Sequence, residues 1–237
     1  MPGDDLAALL PERLQEYQVA GGDILVVAQK IVSKAENRYV DLAGVTPSDR
    51  AAQLAGETGK DPRLVELILS QSKRVVRYRH DVLIVEHRLG FVHANAGIDH
   101  SNIPQDARSE RVLLLPDDPD ASAARIHAAI RRTCGVNVGV IINDSAGRAW
   151  RNGVTGIAIG GAGLPCLVDL RGEADLHGNP LRVTEAGIAD DVAAAASLVM
   201  GQAAQGIPAV LVKGLALRGP HNNASALVRD PDKDLFR

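Results

Sequence analysis

Aromatic residues are scarce in this chain of 237 residues, at 3%, with a single tryptophan among them. Proteins that hold single-stranded nucleic acid stack bases on aromatic platforms, so this composition argues against that class. A surplus of positive charge is also missing. The 26 basic side chains face 29 acidic ones, a net charge of −3, and nothing draws such a chain to nucleic acid or an anionic membrane. No apolar run reaches the roughly 18 residues of a membrane-spanning helix. The opening MPGDDLAALLPERLQ carries Asp4 and Asp5 where a secretory leader would carry cations. Cysteine is nearly absent: Cys134 and Cys166 sit in apolar surroundings without metal spacing, and read as reduced core thiols. A cytoplasmic protein is expected.

Familiar catalytic and nucleotide signatures are lacking too. There is no GxxxxGK[ST], no GxGxxG after a strand, and no HExxH, CxxC or GxSxG. The glycines of IAIGGAGLP (157–165) have the wrong spacing for a phosphate loop and read as a tight turn or close packing.

What is present suits one large domain or two small ones. The composition is 46% hydrophobic and 23% charged, ordinary for a globular protein. Residues 5–16 read as a helix, and Ile24–Ala28 as a buried strand. Two helices follow, the first capped by Thr46 with Pro47 at its first position, the second started by Asp61-Pro62. Strands are expected at 75–78, 82–86, 91–95, 113–115, 138–142 and 209–212. A helix spans DDPDASAARIHAAIRR, its aspartates at the positive end of the dipole. A late helix carrying Ile188, Val192, Ala195 and Val199 stops at Gly201. The tail after Gly214 is polar and is expected to hug the surface. Strands alternate with helices but also come in runs, so the fold class is α+β with mixed sheets.

Two segments stand out chemically. Asn95–Asn102 and Asn143–Arg148 each follow a strand, and each supplies one carboxylate, Asp99 or Asp144, beside amides and hydroxyls. Carboxylates from separate strand ends suit a hard cation such as Mg²⁺ or Mn²⁺ completed by substrate phosphates; the plain alternative is a pair of Asx turns. Lys30 and Lys34, four apart, share a helical face that either meets phosphate or only solvent. Arg148 and Arg151 flank Trp150, either to hold an anion or to cover the ring. The seven histidines show no metal spacing and read as satisfied or exposed.

SKAENR, HANAGIDHSN, LLLPDDPDASA, VGVIINDSAGRAWRNGVTGIAIGGAG and MGQAAQGIPAVLVKG, in order from residue 3 to about 215, resemble the coenzyme F420-0:L-glutamate ligases. The resemblance implies a fold of its own, neither Rossmann nor ATP-grasp, in one domain (1–237, with two interleaved parts) and an intertwined homodimer. It implies a GTP-dependent ligase that joins L-glutamate to the carboxylate of F420-0, a deazaflavin acid, and then adds γ-linked glutamates to F420-1. It also implies two divalent ions, Mg²⁺ or Mn²⁺, with K⁺ as a further candidate. By position, Asp99, Asp144, Ser145 and Gln202 match metal contacts, and Arg148 joins the two aspartates as catalytic. Gln29, Lys30, Lys34, Asn102, Gly201, Gln202, Gly206 and Ile207 match nucleotide contacts.

Gln202 departs from the family, which has an acidic residue there. Family members also begin earlier, with a strand and a Gly-Ile/Leu-Pro loop at the nucleotide, and some continue into a nitroreductase-like domain. This sequence runs from Met1 to Arg237 without those parts. A metal-dependent phosphohydrolase or phosphotransferase, a ligase with another acceptor, and a non-catalytic nucleotide-binding module are the competing readings.

Overall fold

The computed structural model describes residues 2–103 and 110–235. In chain order the elements are α1 (Leu6–Leu14), β1 (Ile24–Ala28), α2 (Gln29–Ala35), β2 (Tyr39–Asp41), α3 (Asp49–Thr58) and α4 (Pro62–Ser70). Then come β3 (Ser72–Arg79), β4 (Val82–His87), β5 (Val92–Ala94), β6 (Arg111–Leu113) and α5 (Pro119–Cys134). The rest are β7 (Gly139–Arg148), β8 (Arg151–Ala162), β9 (Val168–Asp169), β10 (Glu185–Ala186), α6 (Ile188–Met200) and β11 (Ala209–Val212).

A four-stranded mixed sheet, ordered β11-β1-β7-β8, carries two cores. β1 lies parallel to β7, Ile24 opposite Gly139 and Ala28 opposite Asn143, while β11 and β8 flank the pair antiparallel. Alternate side chains of β1 point to opposite faces. Leu25 and Val27 pack with Ile126 and Ile130 of α5, whereas Ile24 and Val26 pack with Val192, Ala193 and Ala196 of α6. Both faces are covered, which is why ILVV reads as an unbroken apolar run. A third core lies apart: Leu54 of α3, Val65 and Ile68 of α4, and Leu83 and Val85 of β4 meet Val112 and Leu114. This α+β arrangement of open, mixed sheets is the fold class expected.

β8 bulges where it passes the two covering helices. Ile142 pairs with Gly160 but Asn143 with Ala158, leaving Ile159 extra. First-turn aspartates from opposite sides satisfy the amides freed nearby: Asp190 of α6 accepts from Ala158 N at 2.8 Å, and Asp120 of α5 from Gly161 N at 2.8 Å. Asp120 also accepts from Ala224 N at 3.0 Å and Ser225 N at 3.2 Å, so the tail is pinned.

Several expectations are corrected. Ser48, accepting from Ala51 N, caps α3 in place of Thr46, because the cap needs its side-chain oxygen directly before the first helical turn. Asn143-Asp144-Ser145 do not form a turn after a strand; β7 runs through them to Arg148, since β8 offers a partner for the whole length. The glycine-rich run is strand, not turn: Gly160 and Gly161 admit the close approach of Pro119 and Cys166. The tail is not wholly superficial, as Ala224 is buried. Trp150, 90% exposed, is not covered by its arginines.

Candidate functional site

The exit of β1 leads straight into α2, and the parallel strand β7 continues beside it, so α2 and Asp144 meet at one end of the sheet. This is where parallel strands commonly gather ligands. Gln29 and Lys30, the first residues of α2, both reach across to Asp99. Gln29 Nε2 donates to Asp99 Oδ2 at 2.6 Å, Lys30 Nζ lies 2.7 Å from Oδ1, and Ser33 Oγ fixes the Gln29 carbonyl at 2.9 Å. Asp99 is placed by a two-way backbone bridge to Leu113, 2.9 Å each way. Burial pushes its carboxyl above the usual range; Lys30 opposes that rise and the charge of Asp144 adds to it. The two aspartates therefore sit within each other's field.

Asp144 is buried in β7. Its Oδ1 accepts from Ser145 N at 2.8 Å, and its Oδ2 has no hydrogen-bond partner among the described residues. Ser145 Oγ donates to Gln202 Oε1 at 2.7 Å, bringing the loop after α6 against β7. Gly201 ends α6 with φ of 71°, the left-handed region that glycine enters freely. Gly206 and Ile207 lie farther along that loop, which Pro208 O anchors by accepting from Ala28 N at 2.9 Å. Lys34 Nζ donates to Asn102 O at 2.7 Å, closing the other side of α2.

Eleven of the twelve candidate residues thus lie around the exit of β1 and the middle of β7 beside it, with Gly206 and Ile207 on the loop that Pro208 anchors there. Arg148 does not join them. It is exposed at the far end of β7, four residues and about 13 Å of strand from Asp144.

Among the described residues no three His, Cys, Asp or Glu side chains are grouped to hold a metal. Two carboxylates, one with an orphaned buried oxygen, plus a hydroxyl and an amide carbonyl still form an all-oxygen donor set. Such a set fits a hard divalent cation that shares its shell with phosphates.

His93 is a neighbour that sequence reasoning passed over. Its Nδ1–H donates to Ala94 O at 2.9 Å, which leaves Nε2 facing Asp144 Oδ2 at 3.3 Å, out of line for a hydrogen bond. Burial works against a charged imidazole, but the Asp144 carboxylate outweighs it and holds the proton affinity of His93 above its ordinary value. The sequence did hold a signal: His93 is the central residue of the short strand β5, one turn (Asn95–Gly97) ahead of Asp99.

His87 behaves oppositely. It is fully buried and stacked on Phe91, ring centres 5.1 Å apart. Burial, then the positive Arg88 and His93, pushes it down to about 4. A histidine lowered by folding stabilises the fold above its unfolded value of about 6.5, and that contribution fades as pH falls toward 4. Urea melts at pH 4.5 should show about 2 kcal/mol less stability from this group than at pH 7. His87→Asn should flatten that part of the slope; an unchanged slope would discharge His87.

A family model described as F420-0:Gamma-glutamyl ligase matches residues 1–214. The chain belongs to the F420-0:gamma-glutamyl ligase family. It is 46% identical over 241 residues to the Coenzyme F420:L-glutamate ligase of Methanopyrus kandleri, covering 100% of this chain and 92% of that protein. To the proteins of the same name from Methanothermobacter thermautotrophicus and Archaeoglobus fulgidus it is 44% and 40% identical, over 99% of this chain and 93% and 91% of theirs. In this F420-0:gamma-glutamyl ligase family member, the matched stretch contains every candidate residue from Gln29 to Ile207.

Proposed function

We propose that the chain is a cytoplasmic, GTP- and divalent-metal-dependent ligase that joins L-glutamate to the carboxylate of F420-0 and then adds γ-linked glutamates. The observation that carries this reading is the pair Asp99 and Asp144, the first on a loop bridged to Leu113 and the second buried in β7, close enough to feel each other's charge and with Ser145 and Gln202 beside Asp144. Mg²⁺ or Mn²⁺ held there would neutralise charge gathering on phosphate oxygens. Lys30 and Lys34 share the face of α2 that would receive the triphosphate, with Gln29, Asn102 and the 201–208 loop around it.

A carboxylate resists attack by an amine, so it must first be activated. In this reading an oxygen of the acceptor carboxylate bonds to the γ-phosphorus as the bond to GDP breaks. The glutamate amine then adds to the acyl carbon, loses a proton, and phosphate leaves. No side chain need act as nucleophile, and positioning with electrostatics carries the rate.

A homodimer belongs to the same proposal. Leu198 and Val199 on the outer face of α6 are 87% and 55% exposed, an apolar surface suited to a second copy.

Mass spectrometry of F420-0 incubated with GTP, Mn²⁺ and L-glutamate should show successive additions of single glutamyl units. Phosphate release from GTP that ignores glutamate would favour a phosphohydrolase using the same aspartates instead. Gln202→Glu should raise Mn²⁺ affinity about tenfold in calorimetric titration, because a charged oxygen replaces a neutral one while Ser145 keeps its acceptor. Equal affinities would remove Gln202 from the ligand set.

A further inference from the structure

A cavity of about 1080 Å³ opens along the β7–β8 hairpin, and none of the residues assigned above to metal or nucleotide lines it. His93 and Ile157, both only partly exposed, are among its walls. His93 faces Asp144 at 3.3 Å and Ile157 is the cross-strand partner of Asp144, so the cavity abuts the back of the candidate metal site. Its middle is apolar, with Ile84, Phe91, Val154 and Leu227 on the walls. Its mouth carries Trp150, whose ring is 90% exposed.

The charge along this cavity is uneven. Asp118, Asp120, Asp190 and Asp234 line it, as does Arg229; the first three accept from backbone amides, Ala121 N, the trio Gly161, Ala224 and Ser225, and Ala158 N respectively. Arg77 on β3, and Arg148 and Arg151 paired across the hairpin, have no carboxylate partner among the described residues. Three guanidiniums around an apolar trough with an aromatic rim form a receptor for an elongated anion with a planar body. Arginine favours oxyanions because its fork matches carboxylate and phosphate geometry.

We propose that this cavity is the acceptor site: it takes a planar aromatic acid, its reacting carboxylate at the His93–Asp144 end, its anionic links on Arg77, Arg148 and Arg151, and its ring system toward Trp150. This rests on the ligase reading. It also gives Arg148, remote from the aspartates, a place on the acceptor.

Trp150 is the only tryptophan in the chain, so its fluorescence reports this cavity alone. Titrating F420-0 into the full chain without GTP or glutamate should quench that fluorescence saturably. Arg77→Glu and Arg151→Glu, both at exposed positions, should each weaken the quenching constant and raise KM for F420-0 about tenfold, leaving KM for GTP within about twofold. Wild-type protein that glutamylates F420-0 while both variants keep the parent KM would overturn the proposal and leave the ligase reading standing. Saturable, arginine-dependent quenching with no glutamylated product would sink the ligase reading and leave the cavity as a site for the acid. Fluorescence that follows protein concentration in step with sedimentation, and ignores F420-0, would make the groove a contact between copies and overturn the proposal.

Discussion

Asp144→Asn lowers ligation about a hundredfold to a thousandfold in kcat while the fold survives. The reason lies in what each oxygen of Asp144 does. Oδ1 accepts from Ser145 N at 2.8 Å, a contact that an asparagine oxygen repeats. Oδ2 is buried and unpartnered, so a neutral amide placed there breaks no hydrogen bond that the parent makes. The variant therefore removes a buried charge and leaves no new orphan, so its melting temperature should match or exceed that of the parent. Transition-state charge on the phosphates loses an anionic anchor for its counter-ion, a loss of about 3–4 kcal/mol by comparison with other preorganised electrostatic contacts.

Three measurements check this: glutamyl product by mass spectrometry, thermal melting, and Mn²⁺ titration. The proton affinity of His93, followed by NMR, should fall as well, since burial then acts without the opposing carboxylate. Near-parental activity would exclude Asp144 from any metal site, and with it the ligase chemistry proposed.

The parts of this fold legible in sequence are those where local chemistry decides. β1 and β11 fall where their apolar runs end, because one is closed by the helix that starts at Gln29 and the other is entered from Pro208. The start of α4 at Asp61-Pro62 follows from a side-chain cap and a residue with no amide to lose. β8 was not legible, because glycines at 153, 156, 160 and 161 belong to turns by local preference and are drawn into a strand only by its neighbours. The Asp99–Asp144 meeting is likewise non-local. Motif order suggests it, but parallel pairing of β1 with β7 and the Leu113 bridge bring it about. His93 escaped because its partner lies 51 positions away (144 − 93) on another strand. The acceptor cavity has walls from β3, β5, the hairpin and the tail, and no contiguous pattern marks it.

Gly156→Ala shows how the non-local part carries function. Gly156 lies opposite Ser145 across the β7–β8 pair. A Cβ there would stand 2.2 Å from Ser197 Oγ, 2.5 Å from Ala193 O and 2.6 Å from Asn143 Oδ1. Ala193 O belongs to the backbone of α6, so the clash is not relieved by turning a flexible side chain; the helix must move off the sheet. Overpacking of this kind costs about 3 kcal/mol, a fall of about 10 °C in melting temperature for a chain this size. The same shift breaks the Asn143–Ser197 bond of 3.0 Å and carries the loop after α6 away from β7. Gln202, at the end of that helix, then loses Ser145 as donor. Mn²⁺ and GTP affinities should drop together with stability, although Gly156 touches neither. A variant that loses stability but keeps both affinities would show that the 201–208 loop is held independently of α6, and that Ser145 and Gln202 do not act as a pair.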